Sequence, residues 1–264
     1  MEIIDAHAHI YPQKIADKAT EAIGDFYNIK MEMPSGTSEN LIKDGERAGI
    51  TKFVVHSCAT KAQQVDAINK FIHLETQKHS QFIGFMTLHQ DMTEEEVYNQ
   101  VCMCVKLGFK GVKLHPDFQK FYIDGENAIK FYRIIGDKLP ILFHIGDDRY
   151  KYSMPERLCT VAKEFKKVNF IAAHFGGYRQ WNKVDLYKGL DNIYFDTCSS
   201  LAFIDSNRAK EIISKFGSSK FFFATDFPMW DAKNELERFN KIPLTHSDRE
   251  KILGKNVKNL LKIN

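Results

Sequence analysis

Residues 139–177 read LPILFHIGDDRYKYSMPERLCTVAKEFKKVNFIAAHFGG. An apolar run at 139–145 is followed by a polar stretch, then by Pro155–Lys166, where apolar residues recur at helical intervals behind a proline suited to a first helical turn. A second apolar run, 168–173, closes the stretch. Strand, helix, strand within so few residues is a βαβ unit, whose two strands must lie parallel.

The same unit repeats in both directions. Apolar, β-rich runs fall at 2–8, 52–57, 81–87, 109–115, 139–145, 168–173, 192–196 and 220–225, and helical periodicity fills intervals such as Gln63–Lys78, Glu94–Leu107, Ala128–Lys138 and Asn207–Phe216. Eight βα units in 264 residues predict an α/β fold, a single-domain (β/α)8 TIM barrel over residues 1–264. Only the first interval is long. It holds the stretch 24–40 with Met33-Pro-Ser-Gly-Thr-Ser38, which reads as a loop insertion on the C-terminal face, placed to cover a substrate.

Composition narrows the partners. With 44% hydrophobic and 27% charged residues the chain is an ordinary globular protein, and a net charge of +3 without a basic run argues against nucleic acid or a membrane surface. A small-molecule substrate is the expectation. The first residues, Met-Glu-Ile-Ile-Asp-Ala-His, carry no basic region and no signal-length apolar stretch, so a cytoplasmic location is expected. Five cysteines, an odd number, fit reduced thiols, and Cys102 and Cys104 read as packing residues on a helix.

Chemistry collects at the ends of the runs. The first ends Asp5-Ala-His-Ala-His9, the fourth Gly111-Val-Lys-Leu-His-Pro116, the fifth Phe143-His-Ile-Gly146, the sixth Ala172-Ala-His-Phe-Gly-Gly177 and the eighth Phe223-Ala-Thr-Asp-Phe-Pro228. Side chains alternate with period two, so His7 and His9 point to one side, as do Lys113 and His115. A lone histidine is usually an ordinary core residue, but a barrel brings His7, His9, His144, His174 and Asp226 to one rim. Nitrogen and carboxylate donors without thiolate fit a divalent metal, zinc best, with manganese, iron, nickel and cobalt open.

The ordered set resembles the amidohydrolase superfamily over the length of the chain: His7-Ala8-His9 matches its first-strand His-x-His, His144 and His174 its fifth- and sixth-strand histidines, and Asp226 its eighth-strand aspartate. Ala224-Thr-Asp-Phe-Pro228 and Ile252-Leu-Gly-Lys-Asn-Val-Lys-Asn-Leu-Leu261 are similar to the branch that includes decarboxylases related to aminocarboxymuconate-semialdehyde decarboxylase. Val112-Lys-Leu-His-Pro116 resembles the fourth strand of dihydroorotases, where a carbamylated lysine bridges two metals. The resemblance thus implies metal ligands among His7, His9, Lys113, His144, His174 and Asp226, with one or two ions per chain. Lys113 is either a carbamylated ligand or a partner for a substrate carboxylate. The arginine that follows His-x-His in dihydroorotases is absent, since Ile10 and Tyr11 come next, which argues against dihydroorotate. The family is also compatible with a homodimer.

The expected activity is hydrolysis of an amide, lactone or ester-like bond in a small carboxylated molecule by a metal-activated water, with Asp226 as general base and His174 as a second catalytic group. His115 and Arg149 are expected to bind substrate, Arg149 through a carboxylate. The alternative is a decarboxylase or hydratase with one metal. A third reading is a non-catalytic metabolite-binding barrel.

Overall fold

A computed structural model describes residues 2–263. Eight strands form one parallel sheet in chain order: β1 (Ile4–His9), β2 (Lys52–His56), β3 (Phe82–Met86), β4 (Gly111–Leu114), β5 (Ile141–Phe143), β6 (Phe170–Ala172), β7 (Ile193–Asp196) and β8 (Phe221–Phe222). The fold is the α/β TIM barrel that the repeat predicted. Every run read as a strand holds one, because these apolar segments are buried along nearly their whole length, as a parallel sheet covered by helices requires. The observed strands are shorter than the runs. His115, His144, His174 and Asp226 therefore lie just past strand ends, in the first residues of the following loops.

By contacts the chain divides into two compact units: residues up to His56 with Glu75–Ile83 and Asp196 onward, and Ser57–Leu74 with Gly84–Phe195. In the first unit β1 and β2 pair Ile4 with Lys52 and Asp5 with Phe53, then Ala8 with Val55 and His9 with His56, so β1 carries an extra residue between the two stretches. Asp5 is the last paired residue before that bulge. Its carboxylate accepts the amides of His7 (3.0 Å) and Thr225 (3.0 Å) and the Thr225 hydroxyl (2.5 Å), which ties β1 to the loop after β8.

The stretch 24–40 differs from the expected plain loop. Helix α1 (Gln13–Tyr27) covers its start and helix α2 (Ser38–Ala48) its end, leaving a connector at 28–37. Thr37 caps α2 by accepting the Asn40 amide at 3.2 Å. The connector is held by backbone bonds from Tyr11 to Gly36 (2.8 Å), Glu32 to Met229 (3.0 Å) and Met33 to Pro228 (3.2 Å). Helix α8 (Ser206–Phe216) starts on Asp205, and α9 (Ala232–Asn240) starts on Asp231.

In the second unit β4, β5 and β6 run in register, Lys113 beside Leu142 and Leu142 beside Ile171. Helix α3 (Val65–Lys78) follows β2, and α4 (Glu94–Lys106) opens on a capping box in which Thr93 and Glu96 each accept the other's amide, at 3.2 and 2.7 Å. Cys104 is buried in α4, and burial pushes its thiol up to about 12, in keeping with a packing role. Helices α5 (Pro116–Gln119), α6 (Glu126–Ile135) and α7 (Pro155–Glu164) follow β4 and β5. Among the described residues no helix is long and apolar enough to cross a membrane.

Candidate metal centre

In the first unit three donor atoms converge. His7 Nε2 stands 3.3 Å from His9 Nε2 and 3.3 Å from Asp226 Oδ1, and His9 Nε2 stands 3.4 Å from the same oxygen. Donors about 2.1 Å from one shared ion at tetrahedral angles lie about 3.4 Å apart, so this triangle has the size of a divalent-metal cradle. The alternation of β1 brings the two imidazoles together. Asp226 meets them through backbone pairing, its amide donating to His7 O (2.9 Å) while the His9 amide donates to Phe227 O (2.7 Å). Its φ of 60° lies in the left-handed region that non-glycine residues rarely adopt.

A second layer fixes the donors. His7 Nδ1 donates to Asp196 Oδ2 at 2.8 Å, which leaves Nε2 with its lone pair toward the cradle. Asp226 Oδ2 accepts the Ser199 hydroxyl at 2.5 Å, while Oδ1 lies 3.3 and 3.4 Å from the two imidazoles. Trp230 Nε1 donates to Ser199 Oγ at 2.9 Å. His56 completes a three-histidine group with His7 and His9, its ring edge-on to His9 at 4.4 Å.

The second unit holds another buried cluster. His144 Nδ1 and His174 Nε2 share a hydrogen bond of 2.9 Å. His115 is sandwiched between Phe118 and His144, nearly parallel to both, with centroids at 3.7 and 4.0 Å. The His144 Nε2 atom lies 3.4 Å from Asp117 Oδ2. Ser153 Oγ is 2.6 Å from both Asp117 Oδ2 and Gly146 O, and one hydroxyl proton cannot serve two acceptors. Burial raises Asp117 to about 7, against the hydrogen bond from Ser153. His174 has φ 62°, and its carbonyl accepts Trp181 Nε1 at 3.0 Å.

Residues 4–263 match the family model described as Amidohydrolase. The chain belongs to the amidohydrolase family. It is accordingly a metal-dependent enzyme of that superfamily. No curated protein matches the sequence. Among solved structures, an uncharacterised TIM-barrel protein from Bordetella bronchiseptica superposes with TM-score 0.82 at 18% identity over 99% of each chain. The 5-carboxyvanillate decarboxylase from Sphingomonas paucimobilis gives 0.78 at 10% identity over 100% of this chain and 99% of its own. A dihydroxybenzoic acid decarboxylase from Polaromonas, solved with manganese and the inhibitor 2-nitroresorcinol, gives 0.74 at 15% identity over 99% and 97%. At these identities the likeness is one of fold.

For this amidohydrolase the sequence-derived site residues fall as follows. His7, His9 and Asp226 come together in the first unit, and His115, His144 and His174 in the second. Lys113 is wholly buried on β4, where its carbonyl accepts the Thr87 hydroxyl at 3.1 Å. Arg149 turns back on Asp147 of its own loop, Nε donating at 2.9 Å and a terminal nitrogen at 2.6 Å. Sequence reading missed Asp196, Ser199 and Asp117. Asp196 ends the run 192–196, so the strand-end rule that found the histidines would have found it too.

Proposed function

We propose that the protein is a lyase that decarboxylates a small hydroxylated aromatic acid with one divalent ion, manganese or zinc, held by His7, His9 and Asp226. The observation that carries this reading is the single-ion triangle, complete within one unit without Lys113. Its one-metal character matches the decarboxylase-like branch that the C-terminal motifs resemble. Whole-length likeness to decarboxylases of two aromatic acids, one of them with manganese bound, supports the same choice.

When bound, the ion supplies a Lewis acid that draws in the substrate carboxylate and a neighbouring oxygen. Loss of carbon dioxide leaves an electron pair on the ring carbon, which must receive a proton in its place. Asp226 is the carboxyl of the cradle. Ser199 holds Oδ2, and Oδ1 is the oxygen that would meet the ion. In the second unit His144 and His174 share a hydrogen bond, His115 stacks against Phe118, and Arg149 is assigned to ordering its own loop through Asp147.

The test uses protein loaded with manganese or zinc and a panel of hydroxybenzoates, with carbon dioxide release as readout. Turnover is expected to disappear on chelation and return with metal, and Asp226→Asn is expected to lower it by about 10²–10⁴-fold. A second reading is kept by the complete burial of Lys113: a hydrolase with that lysine carbamylated. Hydrolysis of a lactone, amide or ester without carbon dioxide release, together with two ions per chain, would establish the hydrolase and overturn the lyase.

A further inference from the structure

The chain invests an unusual amount of buried structure in one hydrogen bond to one oxygen. Ser199, 2% exposed, sits at φ 49°, a conformation that serine adopts rarely. Its hydroxyl has a single proton, which goes to Asp226 Oδ2 at 2.5 Å. Trp230 Nε1, a donor only, occupies a serine lone pair at 2.9 Å, and the other acceptor in reach, Met229 Sδ at 3.3 Å, is far weaker than the carboxylate. The indole is itself immobilised. Phe203 packs edge-on to it at 5.8 Å, and the Arg238 guanidinium lies 5.0 Å from its ring centroid. Arg238 is anchored in turn by Glu235 at 2.5 Å and by Glu32 at 3.0 Å. Six residues thus support the orientation of one carboxylate: Ser199 directly, and Trp230, Phe203, Arg238, Glu235 and Glu32 behind it.

We infer that Ser199, oriented by Trp230, is the positioning residue that makes Asp226 a one-oxygen ligand and thereby sets the affinity of the cradle for its ion. With Oδ2 engaged, only Oδ1 can join His7 Nε2 and His9 Nε2, and the triangle keeps the size of a small divalent ion. Without the hydroxyl the carboxylate loses the bond that holds Oδ2 to the Ser199 side, and both oxygens can turn toward the cradle. The backbone bonds of Asp226 do not oppose this, since they hold the main chain and leave the side-chain torsions open. This inference rests on the metal cradle proposed above. It adds that the cradle's geometry is imposed from the loop after β7 and from α9, rather than by the ligands themselves.

The experiment is competition between the metal-free protein and a chromogenic chelator for zinc and for manganese, with thermal melting of every variant beside it. Ser199→Ala is expected to weaken affinity by about 10–100-fold, the range for loss of an outer hydrogen-bond partner of a metal ligand. Ser199→Thr, which keeps the hydroxyl, is expected to restore most of that affinity. Trp230→Phe keeps the ring and removes the donor, and an intermediate loss is expected. A merely structural role would lower melting temperature in all three variants and leave affinity intact in those that fold. Wild-type affinity in folded Ser199→Ala, with affinity lost in His7→Ala and Asp226→Ala, would overturn the positioning role and leave the cradle standing. Wild-type affinity in His7→Ala and Asp226→Ala would overturn both.

Discussion

Asp196 holds His7 as Ser199 holds Asp226, by engaging the atom that does not face the cradle. The 2.8 Å bond from His7 Nδ1 fixes the tautomer with a free lone pair on Nε2. The Cys198 thiol donates to the other Asp196 oxygen at 3.1 Å. Asp196→Asn can present its amide nitrogen to Nδ1 and invert that tautomer, turning Nε2 into a donor. A loss of metal affinity of about 10–100-fold is expected, measured by chelator competition, and an unchanged affinity would show that His7 keeps its tautomer without help. At this scale the metal-ligand types were legible from strand ends alone, since period-two alternation and barrel topology suffice to aim His7 and His9. Of their supports Asp196 was legible in the same way, at the end of the run 192–196, and Ser199 was not. Ser199 and Trp230 matter through torsions and a left-handed backbone that no residue pattern announces, and Asp117 follows a strand end on a four-residue helix.

The connector between α1 and α2 is the element where sequence and structure part. Turn formers at 33–38 correctly mark a break, yet α1 continues to Tyr27 because its buried face is made of Ala16, Thr20 and Gly24, small residues that leave no apolar stripe to read. What the connector does follows from its contacts. A Cβ at Gly36 would lie 2.8 Å from the Tyr11 ring and 3.2 Å from Pro228, while Tyr11 stacks on His9 at 6.4 Å. Gly36→Ala is expected to cost about 1–3 kcal/mol in urea denaturation through overpacking and to lower turnover by pressing Tyr11 toward His9. Pro34→Ala, at an exposed position of the same connector, is the control and should stay within about 0.5 kcal/mol. Equal stability of the two variants would show that Tyr11 yields freely.

Among the described residues burial raises Asp5 to about 7, Asp117 to about 7 and Glu235 to about 8, and raises Asp44 as well. Asp5 lies beside the cradle, bonded to the His7 amide, whereas Glu235 on α9 reaches it through Arg238 and Trp230, and its shift is opposed chiefly by the hydrogen bond from Arg238. A raised carboxyl is protonated in the folded chain and ionised in the unfolded one between the two pKa values. The folded state therefore binds the extra proton, and stability falls as pH rises through that window, by up to about 1.4 kcal/mol per pH unit for each such group. For Glu235 the window runs from its ordinary 4.5 to about 8. Glu235→Gln removes the titration while keeping an oxygen for Arg238. Urea denaturation of chelator-treated protein at several pH values across this window should show the wild type losing stability with rising pH, and the variant losing less. Parallel curves would mean that Arg238 already holds Glu235 ionised when folded, and that the ion pair, not the neutral acid, is what α9 carries.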